Sequence, residues 1–513
     1  MLSLIKIELN KVSKSKLFFA WLGTILIVLG VTGIIIMGLG TDNKLGEFVG
    51  QGSNNFRIAD KWEKSEDGLV WTFHLRDGVK WSNGDPVTAN DFKAGWIRGL
   101  NPDTAGSNAS MLFVIKNGEK YNAKKVSENE VGIKVIDDKT LQVTLESPIP
   151  YFDDLVTFKS FMPLNQKFYN KTKDKYFTEA EYTISNGPYT LEKWTHDSEL
   201  KFKKNPNYWD AGNVKTDNVE LKIIATDSAV NAFKNKEVDV TAVTFEQAKE
   251  FAGKPELVKA NDGGIYYLLF NTKENVFKNA KVRRAITMAI NKEELVNKVL
   301  EGSEKLTKTF TPSGIGLNGV SKDFPAEVAT DQPKFNVAEA KKLLAEGLKE
   351  EGLSELPRFE ILFNDTGSRK AIAEYIQESL RNNLGANVEL DMVSGKERIE
   401  RTKKRDYQIS LQNWTGDFLD PITYLDLFDS TNANNRGDFK NVKYDELTKT
   451  VKSSADPKVR VPAMIQMEKL ISEEQPVTIL FQKQKLYLVN PKVKNLGFVS
   501  IGGEFFIRDV VMN

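Results

Sequence analysis

The chain has 513 residues, too many for one hydrophobic core, so two or three domains are expected. Its 71 lysines and arginines balance 70 aspartates and glutamates, which removes a whole-chain electrostatic case for binding nucleic acid. With no cysteine and only two histidines, His74 and His196, it builds no disulfide, thiolate metal site, cysteine nucleophile or multi-histidine zinc centre. Neither histidine has a serine or cysteine elbow motif nearby, so no enzyme and no cofactor are expected.

From Leu17 to Gly40 no residue is charged, and most are Leu, Ile, Val, Phe or Gly. Roughly 24 residues at about 1.5 Å each reach about 36 Å, enough to cross a hydrocarbon core of about 30 Å. A cleavable signal has a shorter apolar region, about 7–15 residues. Lys6, Lys11, Lys14 and Lys16 precede the run, so the positive-inside rule puts residues 1–16 in the cytoplasm and everything after about Thr41 outside. The expectation is a single-pass protein of the cell membrane with a transmembrane helix over 17–40 and an extracellular C-terminal domain. The alternative is a long uncleaved signal.

Further along, Trp71, Phe73 and Leu75 alternate with Thr72, His74 and Arg76, the period of a half-buried strand. Asp77-Gly78 and Asn83-Gly84 follow as turn signals and predict a hairpin. Residues 131–136 and 141–145 read as paired strands about Asp137-Asp138-Lys139. Strands are also expected at Val219–Ile224 and Val238–Val240, with a helix from Asp227 to Lys236 between them. Ile265–Phe270 is a continuous apolar run suited to a strand buried on both faces. Val282, Ile286, Ala289 and Ile290 share a helical face, and Asn291 with Glu294, like Asn336 with Glu339, forms a capping-box pattern. Gly314, Gly316 and Gly319 match GxGxxG, but they follow Thr311-Pro312-Ser313 rather than a strand and read as a loop.

From Phe359 a clear alternation begins. Phe359, Ile361 and Phe363 mark a strand, and Ile372, Ile376, Leu380 and Leu384 a helix ending near Gly385. Val388, Leu390 and Met392 mark a second strand, 396–404 a polar helix, and Tyr407, Ile409 and Leu411 a third strand. That order predicts a parallel α/β sheet, in which ligands collect beyond the carboxyl ends of strands. The residues just beyond the third strand are Asn413-Trp414-Thr415-Gly416-Asp417.

Several blocks carry a family resemblance: WEKSEDGLVWTFHLRDGVKWSNGDPVTANDF from Trp62, LQVTLESPIPYFDDL from Leu141, SNGPYTLEKW from Ser185, NPNYWD from Asn205, and FNTKENVFKNAKVRRAITMAINKEELVNKVLEG from Phe270. Together they resemble the family 5 extracellular solute-binding proteins, the capture components of peptide-importing ABC transporters. The resemblance implies a two-lobed α/β fold of the type II, peptide-binding class of periplasmic binding proteins. It implies a first lobe over 41–262 with an inserted subdomain at about 59–180, a second lobe over 263–476, and a return to the first lobe over 477–513. It also implies a monomer whose partners are oligopeptides and ABC permease subunits. The opening MLSLIKIELNKVSKSKLFF instead resembles the start of an ABC permease, and no cysteine is present to carry the lipid usual in Gram-positive relatives. The family's first lobe normally begins several dozen residues before the Trp62 block, so a first lobe truncated at its start is expected.

In oligopeptide-binding proteins an aspartate in a Trp-x-x-Asp motif holds the peptide's α-ammonium, and Trp414 and Asp417 match that motif. Asn413 to Thr415 would then pair with the peptide as an added strand, and Trp414 would supply a flat apolar wall. The residues alone favour Asp417 as the cap of a turn ahead of Pro421 and Trp414 as part of the core, and Asp420 fits the turn better than a ligand role. A receptor for another ligand, such as a nickel chelate or haem, is the alternative within the family. Outside it, the alternative is a permease and binding-protein fusion, acting as a non-transporting interaction module or a non-functional remnant.

Overall fold

The computed structural model describes residues 27–29 and 58–513, except 105–107, 275, 318–319, 329, 331, 499 and 502–504. The short β1 (Ile27–Leu29) is followed by β2 (Ala59–Lys64) and β3 (Val70–Leu75). Trp71, Phe73 and Leu75 are buried and the residues between them are not, as the alternation predicts. With β4 (Ile133–Asp137) and β5 (Thr140–Thr144) these strands form an antiparallel sheet of order β2-β3-β5-β4. The helix α1 (Ala89–Leu100) covers it, started by a capping box between Thr88 and Asp91 and burying Phe92, Trp96 and Leu100. The predicted hairpin is differently built. β3 pairs with β2 and β5, and Asn83-Gly84 instead closes a tight loop, with the Trp81 N–H donating to Asp85 O at 2.8 Å.

The main sheet has ten strands in the order β12-β11-β13-β10-β14-β9-β1-β8-β7-β6. One half holds β6 (Tyr189–Thr195), β7 (Glu199–Lys204), β8 (Asn218–Ile223) and β9 (Val240–Ala242). The other holds β11 (Phe359–Asn364), β12 (Val388–Val393) and β13 (Ile409–Thr415). Two long antiparallel strands, β10 (Leu257–Phe270) and β14 (Val477–Val489), run through both halves.

Their pairing breaks in the middle. Asn261 faces Gln484 and Ile265 faces Gln482, so three residues of β10 stand against one of β14. Gly263 sits in this bulge at φ +69, and a Cβ there would lie 2.8 Å from the Ser500 carbonyl oxygen. The buried Tyr424 hydroxyl braces it, donating to Gly263 O at 2.6 Å and accepting from the Gly416 N–H at 3.1 Å.

β11 and β12 are parallel, as are β11 and β13, while β13 is antiparallel to β10. The crossover helices are α4 (Arg369–Leu384) and α5 (Gly395–Lys404), preceded by α2 (Ala280–Met288) and α3 (Val337–Glu350) and followed by α6 (Val442–Ser453) and α7 (Pro457–Glu474). On one face of the sheet, Leu268, Ile409 and Leu411 pack against Ile286, Leu344 and Ile376 from α2, α3 and α4. On the other, Tyr267, Leu269 and Leu362 pack against Tyr444, Met464, Met467 and Ile471 from α6 and α7. Each fully buried aliphatic side chain contributes about 1.5–3 kcal/mol of burial, which is what fixes the strand register on both faces.

The expectation of a single-pass membrane protein is corrected. Among the described residues no helix is long and apolar enough to cross a membrane. At the centre of the expected span, Ile27–Leu29 is a strand, pairing Ile27 with Ile223, Leu29 with Leu221, and Val28 with both Lys222 and Thr241. Backbone groups committed to β8 and β9 cannot also close an α-helix. A short apolar run bounded by Gly30 satisfies either pattern, and here the slot between β8 and β9 takes it. The rest of the expected helix and the cytoplasmic tail 1–16 lie outside the described residues, as does nearly all of the segment before the Trp62 block on which the expectation of a truncated first lobe rests.

Replacing Tyr424 by Phe leaves the Gly416 N–H and the Gly263 carbonyl buried without their shared partner. The expected cost is about 1–3 kcal/mol, read as a lower denaturant midpoint in equilibrium unfolding; an unchanged midpoint would show that the brace contributes nothing.

Candidate ligand-binding site

The site is built where β11 ends and β13 continues. β11 pairs with β13 only at Ile361–Ile409 and Leu362–Ser410, then turns away through Asp365-Thr366-Gly367 into α4. On its other side β13 stays paired with β10 as far as Thr415 opposite Gly264. Among the described residues the β11-facing edge of Leu411–Thr415 therefore has no strand partner. Arg369, the first residue of α4, reaches into this gap, donating to the Leu411 carbonyl at 3.0 Å and to the Asn413 side-chain oxygen.

The strand ends in a tightly held loop. Trp414 is half-buried, and its indole N–H donates to the Thr423 carbonyl at 3.0 Å. Gly416 has no room for a side chain, since a Cβ would fall 2.6 Å from the Tyr424 hydroxyl. The Asp417 N–H donates to the Thr423 hydroxyl at 3.0 Å, which fixes the backbone from which its side chain starts. The Asp417 carboxylate reaches solvent and has no ion-pair or side-chain hydrogen-bond partner among the described residues. Partial desolvation by the surrounding protein raises it above the usual 3.8.

Asp420 has a different setting. It is buried, accepts from the Ile422 N–H at 3.0 Å and forms an ion pair with Arg460 at 2.9 Å. It holds the turn together, buried against Arg460. Beside it, Phe418 stacks on Tyr151, which follows β5, at a centroid distance of 4.7 Å and an interplanar angle of 7°. The Arg460 guanidinium lies 5.6 Å from the Tyr151 ring, so the loop carrying Asp417 is gripped from both halves of the molecule.

The structure thus brings Asn413, Trp414, Thr415 and Asp417 together on one strand end and its loop. Below Trp414 lies a cavity of about 500 Å³, counting space open to solvent, lined by Tyr267, Gln412, Asn413, Asn435 and Arg436 among others. Sequence reasoning missed Arg369. The available signal was its position just past the carboxyl end of a parallel strand, the same rule that singled out Asn413–Asp417 as candidates.

Residues 56–436 match the family of bacterial extracellular solute-binding proteins, family 5 Middle. The dipeptide-binding protein DppE of Bacillus subtilis is 34% identical over 440 residues, 86% of this chain and 80% of its own length. The oligopeptide-binding protein OppA of the same organism is 32% identical over 460 residues, 88% of this chain and 83% of its own. Among solved structures, peptide-bound OppA of Listeria monocytogenes superposes with a TM-score of 0.69 at 31% identity, covering 94% of this chain and 96% of that one. The unliganded open form of the murein tripeptide-binding protein MppA gives a TM-score of 0.79 at 24% identity, over 95% of this chain and 99% of that one, and shares the fold. The two halves joined by β10 and β14 are accordingly the lobes of a periplasmic-binding-protein fold, and the chain belongs to the family 5 bacterial extracellular solute-binding proteins.

Proposed function

We propose that this protein is the substrate-binding component of an ABC transporter, capturing short peptides with free N-termini and delivering them to permease subunits. The observation that carries this reading is the edge of Leu411–Thr415, which meets no further strand among the described residues and leads to the Asp417 carboxylate, without a side-chain partner among them. A peptide's N–H and C=O groups repeat whatever its sequence, so such an edge accepts it as an added strand. Asp417 then meets the α-ammonium, and a charge-assisted hydrogen bond of this kind contributes roughly 1.5–3 kcal/mol. The same edge runs back from Asp417 to the Arg369 guanidinium, so the acid and the cation match a peptide's amine-to-carboxylate polarity. Trp414 forms a wall between them. The first lobe, taken as 41–262 with 477–513, closes over the second, taken as 263–476, by bending at the Gly263 bulge. The names of the relatives, dipeptide- and oligopeptide-binding proteins, support the same ligand class.

Asp417→Asn should weaken peptides with free N-termini roughly ten- to a hundredfold while changing N-acetylated ones little, as read by titration calorimetry. Equal losses for both would remove Asp417 from the site.

Binding should also depend on pH with a definite sign. In the free protein the Asp417 carboxyl sits above 3.8, and an ammonium placed beside it pulls that value down again. The complex then holds fewer protons than the free protein, so affinity falls as pH drops from about 7 toward about 4 and protons are released on binding. Calorimetry in buffers of different ionisation enthalpy reads this directly. A pH-independent affinity with no proton release in this range would contradict it.

A further inference from the structure

Three arginines converge at the carboxyl ends of the parallel strands. Arg369 opens α4 after β11, Arg398 lies one turn into α5 after β12, and Arg436 comes from the loop between Phe428 and Val442. Arg369 is only 4% exposed and Arg398 only 9%. All three lie close enough to Tyr267 to act on its phenol electrostatically. None of the three pairs with a carboxylate among the described residues. Arg369 donates to the Leu411 carbonyl and the Asn413 amide oxygen. Arg398 donates to the side-chain oxygens of Asn364, at 2.8 Å, and Gln412. Arg436 reaches the Thr402 hydroxyl at 3.4 Å.

Other arginines of this lobe are neutralised: Arg460 by Asp420, Arg401 by Asp391, and Arg405 by Asp438. Here cations are instead crowded together. Burial, and then the neighbouring Arg369, hold the Arg398 guanidinium down to about 10. Arg369 and Arg398 also sit at helix N-termini, where the backbone dipole already favours negative charge. Buried like charges with only neutral acceptors are costly, and an arriving anion relieves that cost.

The cluster is divided between the two faces of the sheet. Arg369 lies 5.2 Å from the Tyr266 ring and bonds Asn413, on the face packed by α2 to α4. Arg398 bonds Gln412, on the opposite face, where Tyr267 and Arg436 line the cavity below Trp414. A peptide laid along the free edge of β13 sends successive side chains to alternate faces.

We infer that Arg398 and Arg436, on the cavity side of the strand edge, form a side-chain subsite selecting a carboxylate-bearing residue of the bound peptide. The inference rests on the peptide reading proposed above. It adds a preference within that class: peptides carrying Glu or Asp at the position facing the cavity.

The test is titration of the full chain with tetra-alanine and with its single-Glu and matched single-Gln variants, all with free termini. At one position, or at two positions two residues apart, Glu should bind at least tenfold more tightly than Gln. That ratio should fall below about threefold in Arg436→Gln and in Arg398→Gln. If Arg398→Gln does not fold, having lost its bonds to Asn364 and Gln412, Arg436→Gln carries the test, because that side chain is only half-buried. Glu and Gln binding equally at every position would overturn the subsite and leave the peptide reading standing. A Glu preference that survives in Arg436→Gln would also overturn it. Failure of every peptide to bind would overturn both.

Discussion

The structure turns on backbone groups that have nowhere to go. β11 ends at Asn364 while β13 continues to Thr415, so the outer half of β13 has hydrogen-bonding capacity on one edge and, among the described residues, no strand to use it. A buried peptide group without a partner costs free energy comparable to a lost hydrogen bond. Water can fill such an edge in an open cleft, and another polypeptide can fill it when the cleft closes. The turn Asp365-Thr366-Gly367 creates the gap by leading the chain into α4, and Gly367 at φ +60 is the residue that allows it.

The same strand end is fastened to the place where the lobes join. Tyr424 bonds the backbone on both sides, at Gly416 beside Asp417 and at Gly263 in the bulge of β10. Phe418 and Arg460 meet Tyr151 from the other half. Tyr424 therefore ties the loop that carries Asp417 directly to the crossing strands, at a bulge with three residues of β10 against one of β14.

Periodicity made the second lobe legible. The alternation at Phe359–Phe363, Val388–Met392 and Tyr407–Leu411, separated by helix stripes, fixed a parallel unit, while Asn413–Thr415, expected just beyond the third strand, are instead its last three residues. Local patterns were less informative where tertiary partners decide the outcome. Ile27–Leu29 has the composition of a membrane span and of a buried strand alike, and the gap between β8 and β9 chose the strand. β10 begins at Leu257 rather than at Ile265 because the polar Asn261-Asp262-Gly263 break lies within a strand and not before one. The arginine cluster was hidden for a different reason. Arg369, Arg398 and Arg436 stand far apart in the chain, and only the crossover connections bring them to one strand end.

The most direct test is a crystal structure of the chain with a bound tri-alanine peptide. The account predicts the peptide's N-terminal nitrogen within about 3 Å of an Asp417 carboxylate oxygen, and its backbone paired along Asn413–Thr415. A peptide bound elsewhere, or one whose amine faces away from Asp417, would contradict it.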